Sequence, residues 1–234
     1  PMHIAGLASN NGRNLRNLQE RRPGGAELAV VVSNQEDAPV VEWAEAEGIP
    51  AETVPMADGE DRRDHERRVV EALADYDVDL VCLDGYMRVL SATFLDAAPT
   101  TINVHPSLLP AFPGMDAWGD ALDAGVRVTG CTVHVVTDAV DDEGEVVHDD
   151  VDMGPIVTQE PVPVREGDDR DSLKERVLYE GEFAAYPRAV RWFAEDRVDV
   201  DVDDDLGGGR VTVEGDDGGL FPARRVAASD RVRE

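Results

Sequence analysis

The chain is poor in lysine, cysteine and aromatic residues, and each scarcity excludes something. Among 234 residues only 22 are basic against 50 acidic, and Lys174 is the single lysine. The formal net charge is −28. Such a surface repels nucleic acid and anionic membranes, and could instead bind a basic protein. The two cysteines, Cys82 and Cys131, stand far apart in apolar runs. They make neither a secreted disulfide framework nor a zinc-ligand spacing, and read as buried structural thiols. No apolar run has the length of a membrane span and no secretory leader is visible, so a cytoplasmic location is expected. The G-x-G-x-x-G glycines of a dinucleotide site are missing. Ser107 has no G-x-S-x-G elbow around it. Nothing repeats internally.

Acidic residues run from end to end instead of forming a tail. That is the composition of a protein solvated for high salt. At about 1 M salt the Debye length is about 3 Å, so self-repulsion is largely screened. A halophile-like protein that loses stability or activity at low salt is expected.

Apolar runs alternate with helical patterns through the first half. "MHIAGLA", "LAVVVSN" and "DVDLVCLDG" read as strands, and "GRNLRNLQE", "APVVEWAEAEG" and "DRRDHERRVVEALADY" as helices. Near-continuous apolar strands between helices predict an α/β fold, a mostly parallel twisted sheet with helices on both faces. "RVTGCTVHVVT" and "GPIVTQEPVPV" add an antiparallel pair at one side. Residues 170–194 read as one long helix, kinked or broken at Pro187, which has no N–H to donate. Residues 1–197 are expected to form one catalytic domain. Residues 198–234 are expected to be a peripheral, acidic, Gly-rich extension with a hairpin around Gly207 to Gly209.

The most informative stretch is Ile102-Asn103-Val104-His105-Pro106-Ser107-Leu108-Leu109-Pro110, continuing to Phe112-Pro113-Gly114. A strand sends alternate side chains to one face, so Asn103 and His105 can share a pocket. An amide can donate to a developing oxyanion, and an imidazole can move a proton near neutral pH. Together they are equipment for acyl transfer, although a lone His after a strand is more often structural.

Four further segments carry chemistry only in combination. "ASNNGRNL" runs from strand through a Gly turn into a helix, whose first amides suit a phosphate. "DGYMRVL" offers apolar walls and backbone edges for a flat ring, and on composition reads equally as core packing. Asp152 in "DVDMGPIVTQ" can face an imidazole and raise its pKa. In so acidic a chain a surface carboxylate is the bland alternative for Asp152 and for Glu182 in "YEGEFAAYP". His134 in "TVHVV" reads as structural.

The string "INVHPSLLPAFPG" resembles the signature of the glycinamide ribonucleotide formyltransferase family, and the other segments match in order across roughly residues 2 to 195. The resemblance implies a formyltransferase-like fold with a Rossmann-type N-terminal half. It implies formyl transfer from 10-formyltetrahydrofolate, as co-substrate and without a metal, to the amine of glycinamide ribonucleotide in purine biosynthesis. It makes Asn103, His105 and Asp152 the catalytic residues. Gly12, Arg13, Asn14 and Glu182 would bind the ribonucleotide. Arg62, Met87, Arg88, Val89 and Leu90 would bind the folate. A monomer or a homodimer is expected.

The chain departs from the family pattern at Asn10, where glycine is usual, and at Asp116, where His is common. It is also about ten residues longer between Thr137-Asp138 and Asp152, an added "DDEGEVVHDD". Asp141 therefore competes with Asp152 for the acid's place. A formyltetrahydrofolate hydrolase would use the same trio on water, and such enzymes usually carry a further N-terminal domain. A methionyl-tRNA formyltransferase fits the negative charge poorly. A non-catalytic nucleotide-binding module would use "SNNGRN" alone.

Overall fold

A computed structural model describes residues 1–203 and 208–215. Five parallel strands come first: β1 (His3–Leu7), β2 (Glu27–Ser33), β3 (Ala51–Thr53), β4 (Leu80–Leu83) and β5 (Thr101–His105). Next come β6 (Val128–Val135), antiparallel to β5, and β7 (Ile156–Pro163), antiparallel to β6. The sheet order is β3-β2-β1-β4-β5-β6-β7. The expected α/β architecture, with its antiparallel pair at one side, is the one observed.

The strands are apolar on both sides because both faces are covered. Ile4, Leu80, Cys82, Ile102 and Val104 pack with Leu15 and Leu18 of α1 (Arg13–Arg21) and with Val40 and Ala44 of α2 (Pro39–Ala46). Ala5, Leu7, Val30, Val81 and Leu83 turn the other way. They meet Val69 and Leu73 of α3 (Arg62–Ala74) and Phe94 of α4 (Ala92–Leu95). The order reverses between β1 and β4, and such switch points are where open α/β sheets hold ligands, at the carboxyl ends of the strands.

After α5 (Ala117–Asp123), the predicted long helix is three continuous pieces: α6 (Arg170–Arg176), a π-helical turn (Val177–Glu182) and α7 (Phe183–Ala194). The expected break at Pro187 does not occur, because Pro187 lies inside α7. The irregularity sits one turn earlier. The Phe183 carbonyl, which a proline four residues on cannot satisfy, faces Asn17 Nδ2 of α1 at 3.5 Å. At Gly181, in the π turn, an added Cβ would lie 3.1 Å from Val162 and 3.3 Å from Cys131 Sγ. The wide turn thus rests on the sheet with no side chain between. π turns of this kind recur at functional sites.

At the C-terminus β8 (Val198–Asp203) pairs antiparallel with β9 (Gly208–Val213). Gly208 and Gly209, expected in the hairpin turn, belong to β9, and Gly207 lies outside the described residues. Val198, Val200, Val211 and Val213 pack on the larger core cluster.

Candidate active site

The site grows from strand register. Ile102 and Val104 face one core cluster, so Asn103 and His105 leave β5 on the opposite face. In β6, Thr132 pairs with His105 and His134 with Asn103. All four side chains therefore share that face. Asn103 Nδ2 lies 3.3 Å from His134 Nε2.

Asp152 joins them from the loop before β7. Gly154 makes this possible: an added Cβ would stand 1.8 Å from the Val135 carbonyl oxygen, so only glycine lets the loop lie on β6. Asp152 itself has φ 61°, a left-handed conformation that Asp and Asn tolerate better than most residues. Its Oδ2 is 3.2 Å from His105 Nδ1 and its Oδ1 is 3.6 Å from His134 Nε2. The rival Asp141 sits in the added segment, where its own Oδ1 accepts the Glu145 amide at 2.8 Å. Arg63 of α3 donates to the carbonyls of Asp141 and Asp142 at 3.3 and 3.2 Å, which anchors that segment away from the ring.

The loop after β5 is tied to the sheet through Thr132. Its Oγ1 donates to the Ser107 carbonyl at 2.7 Å and accepts from the Leu109 amide and from Gln159 Nε2, each at 2.9 Å. Ser107 Oγ donates to the Ala111 carbonyl at 2.5 Å, which commits that hydroxyl to the turn. The loop brings the Phe112 carbonyl within 2.9 Å of His105 Nε2.

From the sequence, Asp152 is expected to raise the His105 pKa. The net shift is the reverse. Burial pushes His105 down, and the Asp152 charge and the Phe112 carbonyl offset it only in part. Burial also works against the Asp152 carboxylate, but the contact with His134 and the charges of both rings prevail and hold it below the usual range. At neutral pH the lowered ring pKa favours the neutral imidazole, and the lowered acid pKa the ionised carboxylate. His134, read from sequence as structural, touches both Asn103 and Asp152. Its signal was present in the alternation of "TVHVV", but only the pairing with β5 gives it a direction.

A second polar cluster lies at the start of α1. Gly12, with φ 58°, begins the helix, and a Cβ there would meet Val40 Cγ2 at 2.3 Å. Asn14 Nδ2 donates to Glu182 Oε2 at 2.7 Å and to Asp84 Oδ1 at 3.1 Å. Asn14 Oδ1 is buried without a partner. Arg13 is turned away from the loop, with a bidentate bond to Glu175 at 2.7 and 3.0 Å and a bond to Tyr179 Oη at 2.8 Å. Burial and the neighbouring Asp84 charge push the Glu182 carboxyl up to about 7. A carboxyl raised from about 4.5 in the unfolded chain holds its proton longer when folded, so stability falls as pH rises through 7. The melting temperature is therefore expected to drop between pH 6 and 8, and Glu182→Gln to drop less. Equal slopes in a scanning melt of the two proteins would contradict this.

The remaining candidates form a strap after β4. Arg62 Nη1 donates to the Val89 carbonyl at 2.6 Å, and its Nε is buried without a partner. Met87 is half exposed, and Arg88 and Val89 are partly buried. The Leu90 side chain, predicted to line the pocket, is instead buried with Tyr86 and Phe94 in the smaller core cluster. Met87 and Arg88 share a cleft of about 750 Å³ with Ser9, Asn10 and Asn34. Among the described residues, no group of three or more acidic, His or Cys side chains is arranged to hold a metal, and no helix is long and apolar enough to cross a membrane.

Comparison with known proteins gives this geometry a context. A phosphoribosylglycinamide formyltransferase of Bacillus subtilis is 37% identical over 192 residues, covering 80% of this chain and 92% of the relative. The trifunctional purine biosynthetic protein adenosine-3 of Gallus gallus is 39% identical over 201 residues, 84% of this chain, although the match spans only 19% of that larger protein. The crystal structure of glycinamide ribonucleotide transformylase 1 from Symbiobacterium toebii superposes with a TM-score of 0.77 at 39% identity, covering 91% of this chain and 93% of the other. Residues 2–148 match the model of the formyl transferase family. With most of the chain matched in both sequence and fold, the protein belongs to the formyl transferase family.

Proposed function

We propose that this protein transfers a formyl group from 10-formyltetrahydrofolate to the amine of glycinamide ribonucleotide, a step of purine biosynthesis. The observation that carries the reading is the imidazole–carboxylate contact of 3.2 Å beside Asn103, at the carboxyl end of β5. The match to phosphoribosylglycinamide formyltransferases over most of the chain supplies the substrates.

The chemistry follows from the resting charges. The amine nitrogen attacks the formyl carbon, a C–N bond forms, and the carbonyl electron pair moves onto oxygen. Asn103 Nδ2 donates to that oxygen, which lowers the barrier because the donor is fixed before charge develops. The neutral His105 ring takes the proton that the attacking amine must lose. Its Nε2 exchanges the Phe112 carbonyl for the reacting groups, and Asp152 stabilises the imidazolium thus formed. The bond to the carrier nitrogen then breaks, and His105 returns the proton there. A lowered ring pKa favours the neutral form that can take this proton.

For the ribonucleotide, Gly12 and Arg13 offer the outer amides of the helix start to the phosphate, Asn14 holds Glu182 in place, and Glu182 offers a carboxyl to polar groups of the sugar. For the folate, the strap Met87–Leu90 offers backbone edges and apolar walls. The unpartnered Nε of Arg62 beneath that strap is a polar atom that a bound ligand would satisfy.

Free tetrahydrofolate is expected to appear when protein, ribonucleotide and formylated folate are mixed, and not when the ribonucleotide is left out. Release without the ribonucleotide would assign the hydrolase reaction instead. The acidic composition supports a halophilic enzyme. Its melting temperature is expected to fall as salt is withdrawn from molar to millimolar, and a salt-independent melt would contradict that reading.

A further inference from the structure

The start of α1 already holds a carboxyl group, and the chain itself provides it. A helix leaves its first amides without intrahelical partners, and Gly12 has no side chain to cap them. Asp84, just past the end of β4, does so from another part of the sheet. Its Oδ2 accepts the Asn14 amide at 2.8 Å and the Leu15 amide at 3.2 Å, and its Oδ1 accepts Asn14 Nδ2 at 3.1 Å. These are the bonds a bound phosphate would make. Burial pushes the Asp84 carboxyl up and its three N–H donors pull against that rise, whereas Glu182 has the single donor Asn14 Nδ2. The buried Oδ1 of Asn14, without a partner beside them, marks the cluster as incomplete without a ligand.

We propose that Asp84 is a specificity-determining residue, whose carboxylate fills the inner part of the anion site at the start of α1 and excludes small free anions. Being intramolecular, it is present at an effective concentration that a dissolved ion must outcompete. Only the outer amides, around Gly12 and Arg13, remain for a ligand. An ion that binds through the helix start alone meets a like charge a few ångströms away. A phosphate ester attached to a sugar draws on further contacts, Glu182 among them, and tolerates that repulsion. This rests on the reading that the substrate's phosphate meets α1, and it adds which anions the site refuses.

The test is sulfate binding to the full chain by titration calorimetry, in buffer of constant ionic strength, since sulfate keeps its charge across the working pH range. Asp84→Asn retains an acceptor for the two amides and removes the charge. Its sulfate dissociation constant is expected to be at least tenfold lower than that of the unmodified protein, and Asp84→Ser to move in the same direction. A merely structural residue would move the other way, because losing the cap loosens the helix start. Equal or weaker sulfate binding in both variants overturns the proposal, as does loss of the folded state in both. The measurement needs no turnover, so it stays readable if formyl transfer itself is not found. In that case the substrate assignment fails while the role of Asp84 is decided separately.

Discussion

His105→Ala lowers formyl-transfer turnover by about 100- to 10,000-fold, the range expected when a positioned proton-transfer group is removed. The ring is 4% exposed and is the group that Asp152 Oδ2 and the Phe112 carbonyl both face. No neighbour replaces it. His134 is held on β6 with its Nε2 toward Asn103 and Asp152 and its Nδ1 3.0 Å from the Val135 carbonyl. The fold should survive, because the β5–β6 pairing is made by backbone and the Thr132 network holds the following loop without the imidazole. The cost is a cavity and an acid that has lost one of its two rings. Turnover within threefold of the unmodified enzyme, with far-UV circular dichroism unchanged, would remove His105 from the chemistry.

Asp152 is best probed as Asp152→Asn. Alanine would mix two effects, since the residue adopts φ 61° and an ordinary side chain pays about 1–2 kcal/mol there. Asparagine tolerates the backbone and fills the same space, so the variant isolates the charge. Turnover is expected to fall about 100-fold or more, because the imidazolium formed during transfer loses its counter-charge. The sign of a second readout is also set. Asp152 is what pulls the His105 pKa upward against burial, so its loss drives the ring lower still. A ring titration followed by NMR should therefore shift to more acidic pH. A shift upward, or turnover retained above one third, would mean that the acid does not act through the ring.

Much of this was readable from local pattern. "LAVVVSN" and "DVDLVCLDG" are apolar on both sides, and that alone predicts strands covered on two faces. Leu15, Leu18 and Val69 fall at helical spacing and do meet the sheet. Asn103 and His105 could be paired because they lie two residues apart on one strand. Other features were not local. The break expected at Pro187 moved to Val177–Glu182, because Pro187 can sit in a helix whose freed carbonyl finds Asn17 on another element. Leu90 turned into the core, since the strap after β4 exposes Met87 and buries the position three residues later. Arg13 was read as a cation for a ligand, and the fold sets it against Glu175, more than 160 residues away.

By itself, then, the sequence determined the layered α/β plan, the strand that carries the amide and the imidazole, and the acidic surface. All three follow from hydrophobic periodicity and composition, which act over a few residues at a time. The tertiary structure decided which charges the site holds. It brought His134 beside Asn103 through strand register, set Asp152 on the ring through a glycine that fits under β6, and placed Asp84 on the amides of α1. It also reversed the expected direction of the His105 pKa. Burial and cross-strand distance govern those outcomes, and both depend on residues far apart in the chain.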